Sequence, residues 1–242
     1  MVRSHTHAQH FLKSPRLVAE LIGHSNIRKN DLVYDLGAGS GVIASVLACR
    51  ARSVVAVEIE PEALKKLHDN MKRFDNVLIV ERDILTVEAP SEPYKIFANI
   101  PFNLSAKVVR KFAFAKKPPK SIYLIVQKQF ARKLVPGDTH FTGQLSAELG
   151  PRWFTRIRKP LRRFDFTPPP AVDTVLLELK RREEALVSGE QYDDYRAFIK
   201  RSFTEQKYFT NLPRQKVNLS PELRPSQLTL EQWLKLWSVI KS

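Results

Sequence analysis

The segment Val33-Tyr34-Asp35-Leu36-Gly37-Ala38-Gly39-Ser40-Gly41 constrains the fold more than any other stretch of the 242-residue chain. An apolar strand runs into three glycines and then into Val42-Ile43-Ala44-Ser45-Val46-Leu47-Ala48, which reads as a helix. That order is the first βα unit of a doubly wound α/β sheet, whose ligands lie at the carboxyl ends of the strands. The glycines read Gly-x-Gly-x-Gly, and Val42 stands where a dinucleotide fingerprint needs its third glycine. Nicotinamide binding is therefore disfavoured.

Two more apolar runs end in acids. Val54-Val55-Ala56-Val57 leads into Glu58, which can accept the hydroxyls of a ribose; the alternative is a surface charge. Val77-Leu78-Ile79-Val80 leads to Asp83 and Ile84, where a carboxylate can accept from an adenine amine and a backbone amide can donate to the ring. With the glycine turn, these strand ends describe an adenosine pocket. A fourth run, Lys95-Ile96-Phe97-Ala98, opens into Asn99-Ile100-Pro101-Phe102-Asn103. The amine of adenine is a poor nucleophile because its lone pair is delocalised, and two acceptors redirect it: the Asn99 side-chain oxygen and the Ile100 carbonyl. Pro101 biases Ile100 towards an extended backbone, and Phe102 offers a face for a base drawn out of its stack. A plain loop with a buried Phe is the competing reading.

Forty basic residues against 25 acidic give a net charge of +15, more than solubility requires, and point to a polyanion. No apolar stretch is long enough to span a bilayer and the N-terminus carries no apolar signal core, so a cytoplasmic, monomeric protein off the membrane is expected. The basic residues cluster in two acid-free runs, Lys107 to Lys133 and Arg152 to Arg163. Lys107, Arg110, Lys111, Lys116, Lys117, Arg132, Arg162 and Arg163 are the expected RNA phosphate contacts, against a solvated face. The single Cys49 excludes an internal disulfide and falls in the apolar phase of its helix, so a packing role is expected. His5, His7 and His10 lack clustered carboxylate or thiolate partners; a mobile tail and no metal are expected. Ser40 and His68 have no triad context.

Helices are expected at 105–114 and before Leu134, strands at 95–99, 121–127, 153–157 and 172–178, and a mostly parallel sheet with an antiparallel late hairpin. The character changes after Arg182. The sequence divides into a catalytic domain, 1–182, and a small helical RNA-binding domain, 183–242, with helices at 191–202 and 229–240. Thr229-Leu-Glu-Gln232 has the form of a capping box, opening a helix whose apolar side carries Trp233, Leu234, Leu236, Trp237 and Ile240. The tryptophans read as core.

Gln9-His10-Phe11-Leu12, the Asp35–Gly41 loop, Asn99–Phe102, Gln127–Leu134 and Phe166-Thr-Pro-Pro-Pro-Ala-Val-Asp173 occur in the order of a known family. The chain resembles the class I S-adenosylmethionine-dependent rRNA adenine N6-methyltransferases, most closely the erythromycin-resistance (Erm) branch. The resemblance implies S-adenosylmethionine as cofactor, held at His10, Leu12, Gly37, Glu58, Asp83 and Asn99, with Gly39 in the cofactor loop and Ile84 beside the adenine. His10 departs from the pattern, since the family usually has Asn there. The target so implied is one adenine of 23S rRNA at the macrolide site, in free rRNA or an assembly precursor, giving resistance to macrolides, lincosamides and streptogramin B. The rivals are a 16S rRNA dimethyladenosine transferase and a ribosome-assembly factor that uses a methyltransferase body without catalysis.

Overall fold

The computed structural model describes residues 10–135 and 143–241. His5, His7 and Gln9 lie outside the described residues. Strand β1 (Phe11–Leu12) and helix α1 (Pro15–Gly23) precede an alternating series: β2 (Leu32–Leu36), α2 (Val42–Ala48), β3 (Ser53–Glu58), α3 (Pro61–Met71), β4 (Val77–Glu81), β5 (Tyr94–Ala98), α4 (Ser105–Ala113) and β6 (Ser121–Gln127). The chain continues through α5 (Lys128–Leu134), α6 (Gln144–Leu149), β7 (Trp153–Leu161), β8 (Phe166–Thr167) and β9 (Thr174–Arg181). It closes with α7 (Tyr192–Thr204), α8 (Gln206–Thr210) and α9 (Leu230–Lys241).

Seven strands form one sheet in the order β4-β3-β2-β5-β6-β9-β7, and the pairs from β4 to β6 are all parallel. Strands β2 and β5 are buried along their whole length, which is why they read as unbroken apolar runs. The strand order reverses at β2, between β3 and β5, so the ligand crevice opens at the carboxyl ends of these central strands. Gly41, with φ 88°, begins α2; a Cβ there would stand 2.7 Å from Leu67 Cδ1 and 2.8 Å from Met71 Cε. Only a residue without a side chain lets α2 approach α3 this closely. Cys49 is exposed at the end of α2, its Sγ 3.5 Å from the Ser45 carbonyl, and this corrects the packing role expected of it. Its backbone is still helical, and it falls on the face of the half-buried Val42, Ser45 and Val46 and off the face of the buried Ile43, Ala44, Leu47 and Ala48.

The chain divides into two compact units: the described residues up to Lys128 with Ile157–Leu179, and Gln129–Arg156 with the described residues from Lys180 onward. The first holds the crevice and a core that includes Val33, Ile43, Leu47, Val54, Leu67 and Phe97. In the second, the Tyr192 and Tyr195 hydroxyls of α7 donate to the carbonyls of Glu148 and Ala147 in α6. These contacts join residues on both sides of the expected 182/183 boundary. Trp233 is wholly buried and Trp237 nearly so, with Phe198 ring centroids at 5.7 Å and 5.4 Å. The capping box forms as read: Gln232 Oε1 accepts from the Thr229 amide at 2.8 Å and Thr229 Oγ1 from the Gln232 amide at 3.2 Å. Ile240, expected on the apolar side of this helix, is exposed in the last turn.

Candidate active site

One cavity in the first unit collects the ends of three parallel strands and the loop after a fourth. His10, Gly37, Glu58, Asp83, Ile84, Asn99, Ile100 and Phe102 line it, joined by Phe11, Ile59, Leu85 and Leu104. Of the cofactor residues expected from the sequence, two do not line it. Leu12 is buried in the hydrophobic core, and Gly39 turns its amide onto the Glu58 carboxylate at 2.7 Å. Phe11 and Ile59 carry exposed apolar surface; their signal in the sequence was only their place next to His10 and Glu58.

Parallel register explains the assembly. Leu36 pairs with Val57 and Glu58 with Glu81, so the residues following each strand emerge at one edge. The turn after β2 is held down by the Gly37 and Ala38 amides, both donated to the Val57 carbonyl at 2.8 and 2.9 Å. Glu58 is buried, and its carboxylate accepts from the amides of Gly39, Ile59 and Glu60. Those bonds fix its orientation at the cavity wall. Asp83 Oδ1 accepts from the Leu85 amide at 2.8 Å, which poses the side chain at the cavity mouth. Gly37 has φ 71°, and a Cβ on it would come within 3.3 Å of Ile84 Cδ1, so the bare glycine keeps the cleft wide enough for a flat ring. These groups fit an adenosine: fixed acids at two strand ends and a cradle that a side chain would fill.

Asn99 follows β5, and its Nδ2 donates to the His10 carbonyl at 2.6 Å. A carbonyl can only accept, so this bond sets the sense of the amide and leaves Oδ1 as the acceptor. Pro101 has φ −52° and ψ 131° and caps a single 3₁₀ turn, Phe102–Leu104. The Ile100 side chain is buried and anchors the loop. Phe102 stacks against the His10 ring, centroids 5.6 Å apart and planes 29° from parallel. His10 also places Nδ1 2.8 Å from the Pro168 carbonyl. It is thus a fixed part of the site, which corrects the mobile tail expected of it; β1 pairs with β8, and this two-residue ladder ties the N-terminal segment down.

Asp35, in β2 just before the glycine turn, is wholly buried, and neither carboxylate oxygen makes a hydrogen bond of normal geometry. Burial first, and the Glu58 charge second, push its pKa up to about 8 against a smaller opposing pull from the Ala44 amide.

Of the expected phosphate contacts, Lys107, Lys116, Lys117, Arg132, Arg162 and Arg163 are exposed and Arg110 and Lys111 half-buried; Arg132 belongs to the second unit. Other members of the acid-free runs are paired with the protein's own acids. Arg158 lies 3.6 Å from the buried Glu178, Lys159 pairs with Glu20, and Lys128 lies 3.8 Å from Asp173. Acids from distant segments reach them, which local charge counting cannot show. Among the described residues no group of side chains could hold a metal ion and no helix is long and apolar enough to cross a membrane.

The strand order, with an acid closing the strand beside the glycine turn and an Asn-x-Pro-aromatic loop after β5, defines a class I S-adenosylmethionine-dependent methyltransferase. A Staphylococcus aureus protein named rRNA adenine N-6-methyltransferase is 32% identical over 238 residues, covering 96% of this chain and 95% of its own length. The family model for ribosomal RNA adenine dimethylases matches residues 3–221, and the chain belongs to that family of rRNA adenine N6-methyltransferases. The Ribosomal RNA small subunit methyltransferase A of Dehalococcoides mccartyi is 27% identical over 249 residues, covering 94% of this chain and 85% of its own. The crystal structure of the 23S rRNA methyltransferase ErmE superposes with a TM-score of 0.83 at 26% identity, covering 96% of this chain and all of that one.

Proposed function

We propose that the chain transfers methyl groups from S-adenosylmethionine to N6 of one adenine in 23S rRNA, in the cytoplasm, and so confers macrolide, lincosamide and streptogramin B resistance. The observation that carries this reading is the end-to-end correspondence with the 23S rRNA methyltransferase ErmE, at a TM-score of 0.83 over 96% of the chain. The 16S reading is supported by the Dehalococcoides relative, of whose length 85% is matched.

The residues of the cavity supply the chemistry in parts. Glu58 and the Gly37 turn would hold the ribose of S-adenosylmethionine, and Asp83 with the Ile84 amide its adenine. When bound, the cofactor supplies an electrophilic methyl on a sulfonium. Asn99 Oδ1 and the Ile100 carbonyl accept the two N–H bonds of the target amine, turning its lone pair out of conjugation. Phe102 stacks on the flipped base, and the aromatic face lends a favourable surface to positive charge. Rate arises from orientation, because neither a metal nor a covalent enzyme intermediate is required by this transfer. The exposed basic residues, with the helical segment 183–242, grip the RNA backbone of a free rRNA or an assembly precursor.

Incubation of the protein with tritiated S-adenosylmethionine and, separately, deproteinised 23S and 16S rRNA tests the reading. Label in N6-methyladenine at one 23S position supports it; label confined to 16S rRNA replaces it with the small-subunit reading, and no label in either leaves the assembly-factor role.

A further inference from the structure

His10 makes three contacts that together span the reaction cavity. Its carbonyl accepts from Asn99 Nδ2 at 2.6 Å. Its ring lies against Phe102 at 5.6 Å between centroids. Its Nδ1 sits 2.8 Å from the Pro168 carbonyl, on the segment following β8. Residue 10 therefore joins the N-terminal segment, the Asn99–Phe102 loop and the Pro168 segment, three stretches distant in sequence. Each contact has a distinct consequence. The carbonyl bond decides which end of the Asn99 amide faces the cavity, and a rotated amide would present two donors to an amine that needs an acceptor. The stack backs one face of Phe102, so the ring is held by the protein before any base arrives. The Pro168 bond fixes the imidazole, and through it the backbone that carries the carbonyl.

We infer that His10 is a positioning residue for methyl transfer: it sets the Asn99 amide and braces Phe102, acting through them on the target amine. The inference rests on the methyltransferase reading and adds to it a division of labour between the backbone and the ring of one residue. Two substitutions separate the parts. In His10→Asn the amide nitrogen replaces Nδ1 and keeps the donor towards Pro168 while removing the ring. In His10→Phe the ring remains and the donor is removed.

The test measures single-turnover methylation of deproteinised 23S and 16S rRNA at saturating cofactor and RNA, cofactor affinity by calorimetry, and exchange of the Asn99 side-chain amide protons with water by NMR. For His10→Ala the turnover rate at saturating cofactor falls roughly ten- to a hundredfold, over and above any change in cofactor affinity, the pattern expected when the geometry of the reacting groups is disturbed. His10→Asn and His10→Phe each recover part of the rate. The Asn99 amide protons, slow to exchange in the wild type, exchange like a solvated amide in His10→Ala. A wild-type rate and slow exchange in His10→Ala overturn the inference, as does a loss that lies wholly in cofactor affinity. Should His10→Ala fail to fold, the other two variants decide: wild-type rates in both overturn it. The NMR arm needs no substrate, so wild-type protein that methylates neither rRNA removes the functional reading while the slow Asn99 exchange still reports on His10.

Discussion

At the scale of single residues, the cavity separates a chemical role from a stacking role. Asn99 offers an acceptor whose orientation is set by the His10 carbonyl, whereas Phe102 offers area. Asn99→Ala removes a preorganised acceptor and lowers the single-turnover rate about a hundredfold or more. Phe102→Ala forfeits roughly 1–3 kcal/mol of base stacking and keeps weak turnover, and Phe102→Tyr retains most of it. Wild-type chemistry in Asn99→Ala at saturating cofactor and RNA would show the acceptor mechanism to be wrong. Asp35 gives a prediction of another kind. Its folded-state pKa of about 8 stands above the ordinary 3.8, so folding takes up a proton across that window. The stability Asp35 contributes is whole below about pH 4 and is lost as pH rises towards 8. Asp35→Asn, which mimics the neutral carboxyl, should lose less stability than wild type between pH 5 and pH 8 in urea denaturation. Parallel profiles for the two proteins would mean that Asp35 ionises normally in the fold.

Elements explain why the sequence was readable where it was. Parallel strands buried on both faces must be continuous apolar runs, and β2, β3, β5 and β6 stood out for that reason. Their carboxyl ends share an edge, so Gly37, Glu58, Asp83 and Asn99 could be brought together from chain order alone. Strands of two residues carry no periodicity, and β1 and β8 went unseen, though their pairing is what holds His10 in the site. Helix α1 opens at Ser14-Pro15 and buries Val18, Leu21 and Ile22 at helical spacing, but it carries no residue of the site. Long-range pairs such as Arg158 with Glu178 depend on the sheet being assembled and leave no local trace. The turn itself yields a test: Gly41→Ala forces a side chain into a backbone with φ 88° and against Leu67 and Met71. It should cost at least about 1–2 kcal/mol, read as a lower denaturation midpoint. Equal midpoints would mean that α2 and α3 separate freely.

Over the whole molecule the excess of 15 positive charges is divided by the fold into two kinds. Arg158 serves the interior, where it faces a Glu178 carboxylate that is only 2% exposed. Lys116, Lys117, Arg162 and Arg163 lie exposed on the surface of the first unit. Pairing a cation with a phosphate releases counterions, so the surface group should dominate the salt dependence of RNA binding and the interior group should not. Changing all four surface residues to Gln should lower the log–log salt slope by roughly 0.7–0.9 for each phosphate no longer neutralised, with the thermal transition in place. Arg158→Gln should do the reverse: the slope holds, while stability falls because the buried Glu178 carboxylate is deprived of this cation. Filter binding of 23S rRNA over a salt series, with melting of each variant, checks both halves. An unchanged slope in the fourfold variant would make these charges a solvated face and move the RNA grip to other basic residues of the chain.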